Sequence, residues 1–214
     1  MPPLESMIAV ALAGIALSAT PGPSMLYVLS RSVGQSRAAG LASAVGLGLG
    51  GILLAVATAM GLAAVFAKFD WLVTALRYVG SAYLIWLGLS MIRDANTNAN
   101  VQLEVEKLPE TPIRSIVWQG ILVELLNPKT VLFFALFLPP FVSASAGDGS
   151  VQWQLLILGA LVPLTAVPSD LLIAFMGGTV AQTINRQKGM RVALAWIGGC
   201  ILIAIALNLH LNVI

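Results

Sequence analysis

The sequence predicts an all-α integral membrane protein whose six transmembrane helices form two inverted three-helix repeats, with the first and fourth helices broken. Three observations lead there. Hydrophobic residues make up 58% of the chain and charged residues only 9%, where a soluble domain carries ~25% charged residues to cover its surface. The charges are clustered, leaving apolar stretches that exceed the ~20 helical residues needed to cross a bilayer. Prolines interrupt two of those stretches at similar depths.

The first span covers residues 6–30 and is followed by a short basic loop from Arg31 to Arg37. The second, 38–67, closes at Lys68-Phe69-Asp70, and the third occupies 71–92. One long polar stretch follows, residues 93–114, with three asparagines and then Glu104, Glu106, Lys107 and Glu110. The fourth span is 115–142, the fifth 153–178 and the sixth 192–209. Lysines and arginines fix the orientation, because cytoplasmic loops are the basic ones. The loops after spans one, three and five hold eight of them, against Lys68 alone on the other side. Both termini are therefore expected on the outer face.

The polar stretch 93–114 reads as a cytoplasmic linker between a first repeat, 1–92, and a second, 115–214. Three spans per half is odd, so the second half enters the membrane in the opposite sense. The first break, Pro21-Gly22-Pro23, lies 15 residues after Ser6, and the second, Asn127-Pro128-Lys129, begins 12 residues after Ser115. Corresponding broken segments in two halves are the sequence sign of an inverted-repeat transporter.

Several classes fall away. A net charge of +2 dispersed over loops gives no footprint for nucleic acid. A single cysteine, Cys200, and a single histidine, His210, leave no thiolate cluster, redox pair or HExxH site, and no metal or cofactor is expected. Glu5 and the lack of Lys or Arg before Arg31 do not make a cleaved signal peptide. In span two, Gly46-Leu47-Gly48-Leu49-Gly50-Gly51 fits a nucleotide-loop pattern only literally, with no strand before it. Ala38, Ala42, Gly46 and Gly50 instead make a small-residue stripe that lets another helix approach, in this chain or in a second copy.

Proline inside a helix removes one donor and releases the carbonyl four residues earlier. In hydrocarbon such a break survives where it is packed in protein or lines a wet cavity. Ser24 can bond the freed backbone, and the helix restarting at Pro23 presents a positive dipole end that favours an anion. Arg77, Glu124, Lys129 and Asp170 fall inside spans, where a lone charge costs at least ~2.5–3.5 kcal/mol. Arg77 is near enough to the interface to snorkel. Lys129, ~22 Å along the helix from Arg114, is not. Glu124 and Asn127 stand three residues apart, on one face with the break. Asp170 follows a second disturbed region, Pro163 to Pro168. Glu124, Lys129 and Asp170 fit either a buried ion network that holds helices together or a site that handles substrate and protons. A zwitterion such as a free amino acid needs a cationic end, supplied by Lys129 and the start of the restarted helix. It also needs an anionic end, supplied by Glu124 or Asp170.

Ala19-Thr20-Pro21-Gly22-Pro23, followed by Arg31-Ser32-Val33-Gly34-Gln35-Ser36-Arg37-Ala38-Ala39-Gly40, closely resembles the opening signature of the LysE superfamily. Asn127-Pro128-Lys129 with Leu132-Phe133-Phe134 and Phe137-Leu138-Pro139 is similar to that family's second signature. Gly80-Ser81-Ala82-Tyr83-Leu84 through Leu87-Gly88 is similar to its third span. The nearest branch is the RhtB-type homoserine/threonine exporters. The resemblance implies a six-span carrier of the bacterial inner membrane that exports amino acids or close derivatives against proton entry and forms homo-oligomers. By motif position it makes Pro21, Gly22, Pro23, Asn127, Pro128 and Lys129 the central, substrate-binding elements; Ser24 joins them from its place beside the first break, and Glu124 and Asp170, as ionisable carboxyls inside spans, are the groups expected to couple protons. An intramembrane enzyme using Glu124 and Lys129, and a passive channel or structural subunit, are the competing readings.

Overall fold

The computed structural model describes residues 1–19, 22–66, 70–95, 110–142, 149–186 and 188–211. Thr20, Pro21, Lys68, most of the polar linker and the side chains of Arg77 and His210 lie outside the described residues. Among the described residues there are eight α-helices and no strand: α1 Leu4–Ala19, α2 Pro23–Gly34, α3 Arg37–Phe66, α4 Asp70–Arg93, α5 Ile113–Leu125, α6 Pro128–Leu132, α7 Gly149–Arg186 and α8 Lys188–Leu211.

The two proline motifs break helices in the expected places. α1 ends at Ala19, two residues short of Pro21. α2 restarts with Pro23 at its first position, where the ring fixes a helical φ and the missing N–H has no helical partner to lose. Asn127 is the N-cap of α6; its Oδ1 accepts from the Lys129 backbone N–H at 3.1 Å, and Pro128 opens the helix. α1 and α2 are bent by 54° from each other, and α5 and the segment from Pro128 by 49°. α6 then widens into a π turn, Phe133–Phe137, and a 3-10 turn, Pro139–Phe141. Pro140 leaves the Leu136 carbonyl without its helical donor. That carbonyl projects into the space where a Cβ on Gly80 of α4 would stand, so only glycine permits the approach.

The disturbed region expected between Pro163 and Pro168 is absent. α7 runs straight through both prolines and departs from helical geometry only at Met176, with φ −111° and ψ 17°. Each proline deletes one donor, and the turns on either side continue; Thr165 and Ser169 bond the carbonyls of Val162 and Ala166 at 2.8 Å. One missing bond per turn does not stop a helix that its neighbours hold.

α3 packs against α5 and α7, α4 against α8, and α1 against α7 and α8. Phe133, Phe134, Phe137, Leu84, Leu155, Leu158 and Leu202 are fully buried at the centre. In lipid, contact area and close approach hold helices together more than the expulsion of water does. The small-residue stripe serves this purpose within the chain: a Cβ on Gly46 would strike the Val117 carbonyl and stand 3.0 Å from the Gly120 Cα, while one on Gly50 would stand 2.7 Å from the Glu124 Cβ. The partner left open by the sequence is α5, and its closeness sets Glu124 against α3. Val45, Leu49, Leu53 and Met60 face outward from α3.

By length and hydropathy, 37–61 of α3 and 151–176 of α7 can each cross a membrane. The pairs α1–α2 and α5–α6 qualify when each bent pair counts as one crossing. Together with the apolar composition, these make the chain a helical membrane protein.

Candidate functional site

The two breaks meet. Ser24, in the first turn of α2, donates to Glu124 Oε2 at 2.5 Å. Asn127 Nδ2 donates in turn to Ser24 Oγ at 2.9 Å. Asn127 thus spends its oxygen on capping α6 and its amide on Ser24 of α2 and on Glu124, with 4% of its surface exposed. The Thr130 side chain also reaches Glu124. Glu124 lies in the last turn of α5 and Asn127 caps α6, so the three-residue spacing that placed them on one helical face brings them together instead across the gap between two helices.

Lys129 carries the other link. Its Nζ donates to the Leu17 carbonyl at 2.6 Å. Leu17 lies in the last turn of α1, whose carbonyls have no helical donor, and Pro21, four residues on, has no N–H to supply one. The lysine of the second break therefore closes the hydrogen-bond deficit of the first. Its charge lies within reach of Glu124, and the Tyr83 hydroxyl on α4 donates to the Lys129 backbone carbonyl at 3.2 Å.

Around these groups lies a cavity of about 70 Å³. Ser18, Gly22, Ser24, Glu124, Asn127, Lys129, Thr130 and Asp170 line its polar part; Met25, Leu47, Phe134, Val162, Pro163 and Ala166 line the apolar remainder. Asp170, from α7, shares the cavity and feels the charge of Glu124. Two carboxyl groups, one ammonium and a helix N-terminus thus converge in an otherwise apolar setting. Groups of both signs and several neutral donors suit a ligand that is itself charged at two ends.

Of the residues singled out from the sequence, Gly22, Ser24, Glu124, Asn127, Lys129 and Asp170 line the cavity. Pro23 and Pro128 are exposed and act by starting helices. Pro21 lies outside the described residues. Sequence reasoning missed Thr130, Ser18 and Tyr83, hydroxyls whose direction no spacing rule reveals. It also missed a polar clasp between α2 and α5. Arg31 donates to Gln119 Oε1 at 2.8 Å, to Thr111 Oγ1 at 3.0 Å and to Gln35 Oε1 at 3.2 Å. Tyr27 donates to the Ile116 carbonyl at 2.8 Å. Ser32 on the same helix donates to the Ala174 carbonyl of α7 at 2.7 Å.

A helical membrane protein with a charged cavity where two broken helices meet has the build of a translocator rather than of an enzyme with a fixed reaction centre. The LysE type translocator family matches residues 15–212, and the chain belongs to that family. It is a transport protein, not an enzyme. The threonine efflux protein of Escherichia coli strain K12 is 27% identical over 169 residues, covering 78% of this chain and 82% of its own. The homoserine/homoserine lactone efflux protein of Salmonella typhimurium is 29% identical over 184 residues, 86% and 79% of the two chains. A leucine efflux protein of Enterobacter is 27% identical over 168 residues, 78% and 77%. No solved structure matches.

Proposed function

We propose that this protein exports amino acids or close derivatives across the bacterial inner membrane, driven by proton entry, and that the cavity between the two breaks is its substrate site. The observation that carries the reading is the linkage of the breaks through Ser24, Glu124, Asn127 and Lys129. The efflux names of its relatives supply the direction and the substrate class.

In this reading the substrate carboxylate takes the Lys129 ammonium and the N–H groups at the start of α2, where Gly22 brings no capping side chain. The substrate ammonium takes Glu124 or Asp170. One of these carboxyl groups carries the coupling proton, since two like charges in one apolar cavity favour a shared proton over double ionisation. Because Lys129 also holds the Leu17 carbonyl, a carboxylate that draws the ammonium away loosens the first break, which couples occupancy to bending of the first span.

The six-span, inverted-repeat architecture belongs to the same proposal, with repeats over 1–92 and 115–214, linker 93–114 and both termini outside. The helix contacts support it. Exchanging the halves carries α1 on α7 onto α5 on α3, while α3 on α7 and α4 on α8 map onto themselves.

The test uses purified protein in lipid vesicles with a labelled amino acid and an imposed pH gradient. The reading expects gradient-driven movement that Lys129→Met and Glu124→Gln each reduce by at least about tenfold, as expected when one charged contact worth ~1.4 kcal/mol or more is lost. Flux indifferent to the gradient makes the protein a passive channel, and flux indifferent to both substitutions removes the cavity from the pathway.

A further inference from the structure

A hollow inside the helix bundle and an apolar groove on its outer face adjoin at Gly48 and Pro163. The charged cavity of about 70 Å³ lies on one side. On the other is an apolar groove of about 270 Å³ between α3 and α7, lined by Val45, Leu49, Ile52, Leu164, Val167 and Leu171. Gly48 and Pro163 line both. Gly48 lies 11 residues into α3, roughly 17 Å along it and so about halfway across a ~30 Å hydrocarbon layer. A Cβ built on Gly48 meets no atom within 4 Å, whereas the same addition at Gly46 or Gly50 collides with α5. Gly46 and Gly50 are therefore explained by helix packing, and Gly48 is not. What its missing side chain leaves is the opening itself.

The geometry points to a substrate that keeps its charged head in the cavity and passes an apolar side chain between Gly48 and Pro163 into the groove, with Gly48 as the residue that admits the chain. The inference rests on the amino-acid reading above and narrows it to amino acids or derivatives with an extended apolar side chain. The charged cavity is the smaller of the two hollows, so a long side chain has no room there. The groove has only apolar walls, so it has nothing to offer a polar head. Each methylene that moves from water into such surroundings tightens binding by about threefold to fourfold.

The experiment measures competition by unbranched 2-amino acids, from alanine to 2-aminooctanoate, against a labelled amino acid bound to purified protein in detergent. For the unaltered protein, affinity rises about threefold per methylene over the first several carbons. Gly48→Leu fills the opening, and the ratio of long-chain to short-chain affinity falls at least tenfold; Gly48→Ala falls between. Gly61→Leu, equally unobstructed on the same helix but outside both hollows, keeps the original ratio. Retained chain-length preference in Gly48→Leu, or affinity that falls with length in the unaltered protein, overturns the inference. The readout is binding, so vesicles that show no flux defeat the transport reading without touching this result. An unaltered protein that binds no member of the series defeats both.

Discussion

Lys129 offers the sharpest test of how the breaks are held. Lys129→Met keeps most of the side-chain volume but removes the ammonium that donates to the Leu17 carbonyl at 2.6 Å. Leu17 is 7% exposed and lines the narrow cavity, so its carbonyl then loses a charged donor with little solvent to replace it, at a cost of about 1–3 kcal/mol. At ~2–4 °C per kcal/mol for a chain of this size, the midpoint should fall by roughly 4–8 °C for a 2 kcal/mol loss. The decisive arm is a second substitution. Pro21→Ala returns a backbone N–H four residues after Leu17, able to take over the orphaned carbonyl. The double variant should therefore recover most of what Lys129→Met loses, a coupling of about 1 kcal/mol or more. Thermal unfolding followed by circular dichroism in a fixed detergent reads all four proteins. A Lys129→Met protein as stable as the unaltered one, or strictly additive losses in the pair, refutes the claim that one break caps the other.

Other consequences follow from the same contacts. Asn127→Ala removes both the cap of α6 and the bond to Ser24, so it should cost about 2 kcal/mol in unfolding measurements, while Asn127→Ser, which keeps an acceptor for the cap without adding a charge beside Glu124, should cost less. Gly46→Val drives a side chain into the α5 backbone and should lower stability by about 1–3 kcal/mol, read as a loss of monodisperse protein on gel filtration. Gln119→Leu leaves Arg31 and Tyr27 without a shared acceptor; it should loosen α2 from α5 and raise hydrogen exchange in 23–34 without changing exchange in α4.

Much of this was legible because membrane insertion makes few demands and makes them strongly. Composition alone fixed the environment, and the paired motifs Pro21-Gly22-Pro23 and Asn127-Pro128 marked the two breaks, since a proline suits the first position of a new helix better than the interior of an old one. That Lys129 and Glu124 face inward followed from the cost of charge in lipid. Partner choice was less legible. The stripe from Ala38 to Gly50 announced a close contact but not with which helix, because smallness carries no address. The disturbance expected from Pro163 to Pro168 does not occur: a proline's effect depends on whether adjoining turns are held, and the packing of α7 against α1 and α3 is a tertiary fact. The contacts of Tyr83 and Arg31 were not legible because they lie where a long side chain ends, well away from its backbone position.

The central claim is that both breaks open on one wet hollow that a transported molecule occupies. Ser24→Cys in a Cys200→Ser background places a single thiol at the junction of α2, α5 and α6, and the rate of its labelling by a small water-soluble reagent can be followed with and without amino acid. The account predicts that the thiol is labelled and that a saturating substrate slows the reaction by at least about tenfold. A thiol that never reacts, or one whose reaction no amino acid slows, contradicts it.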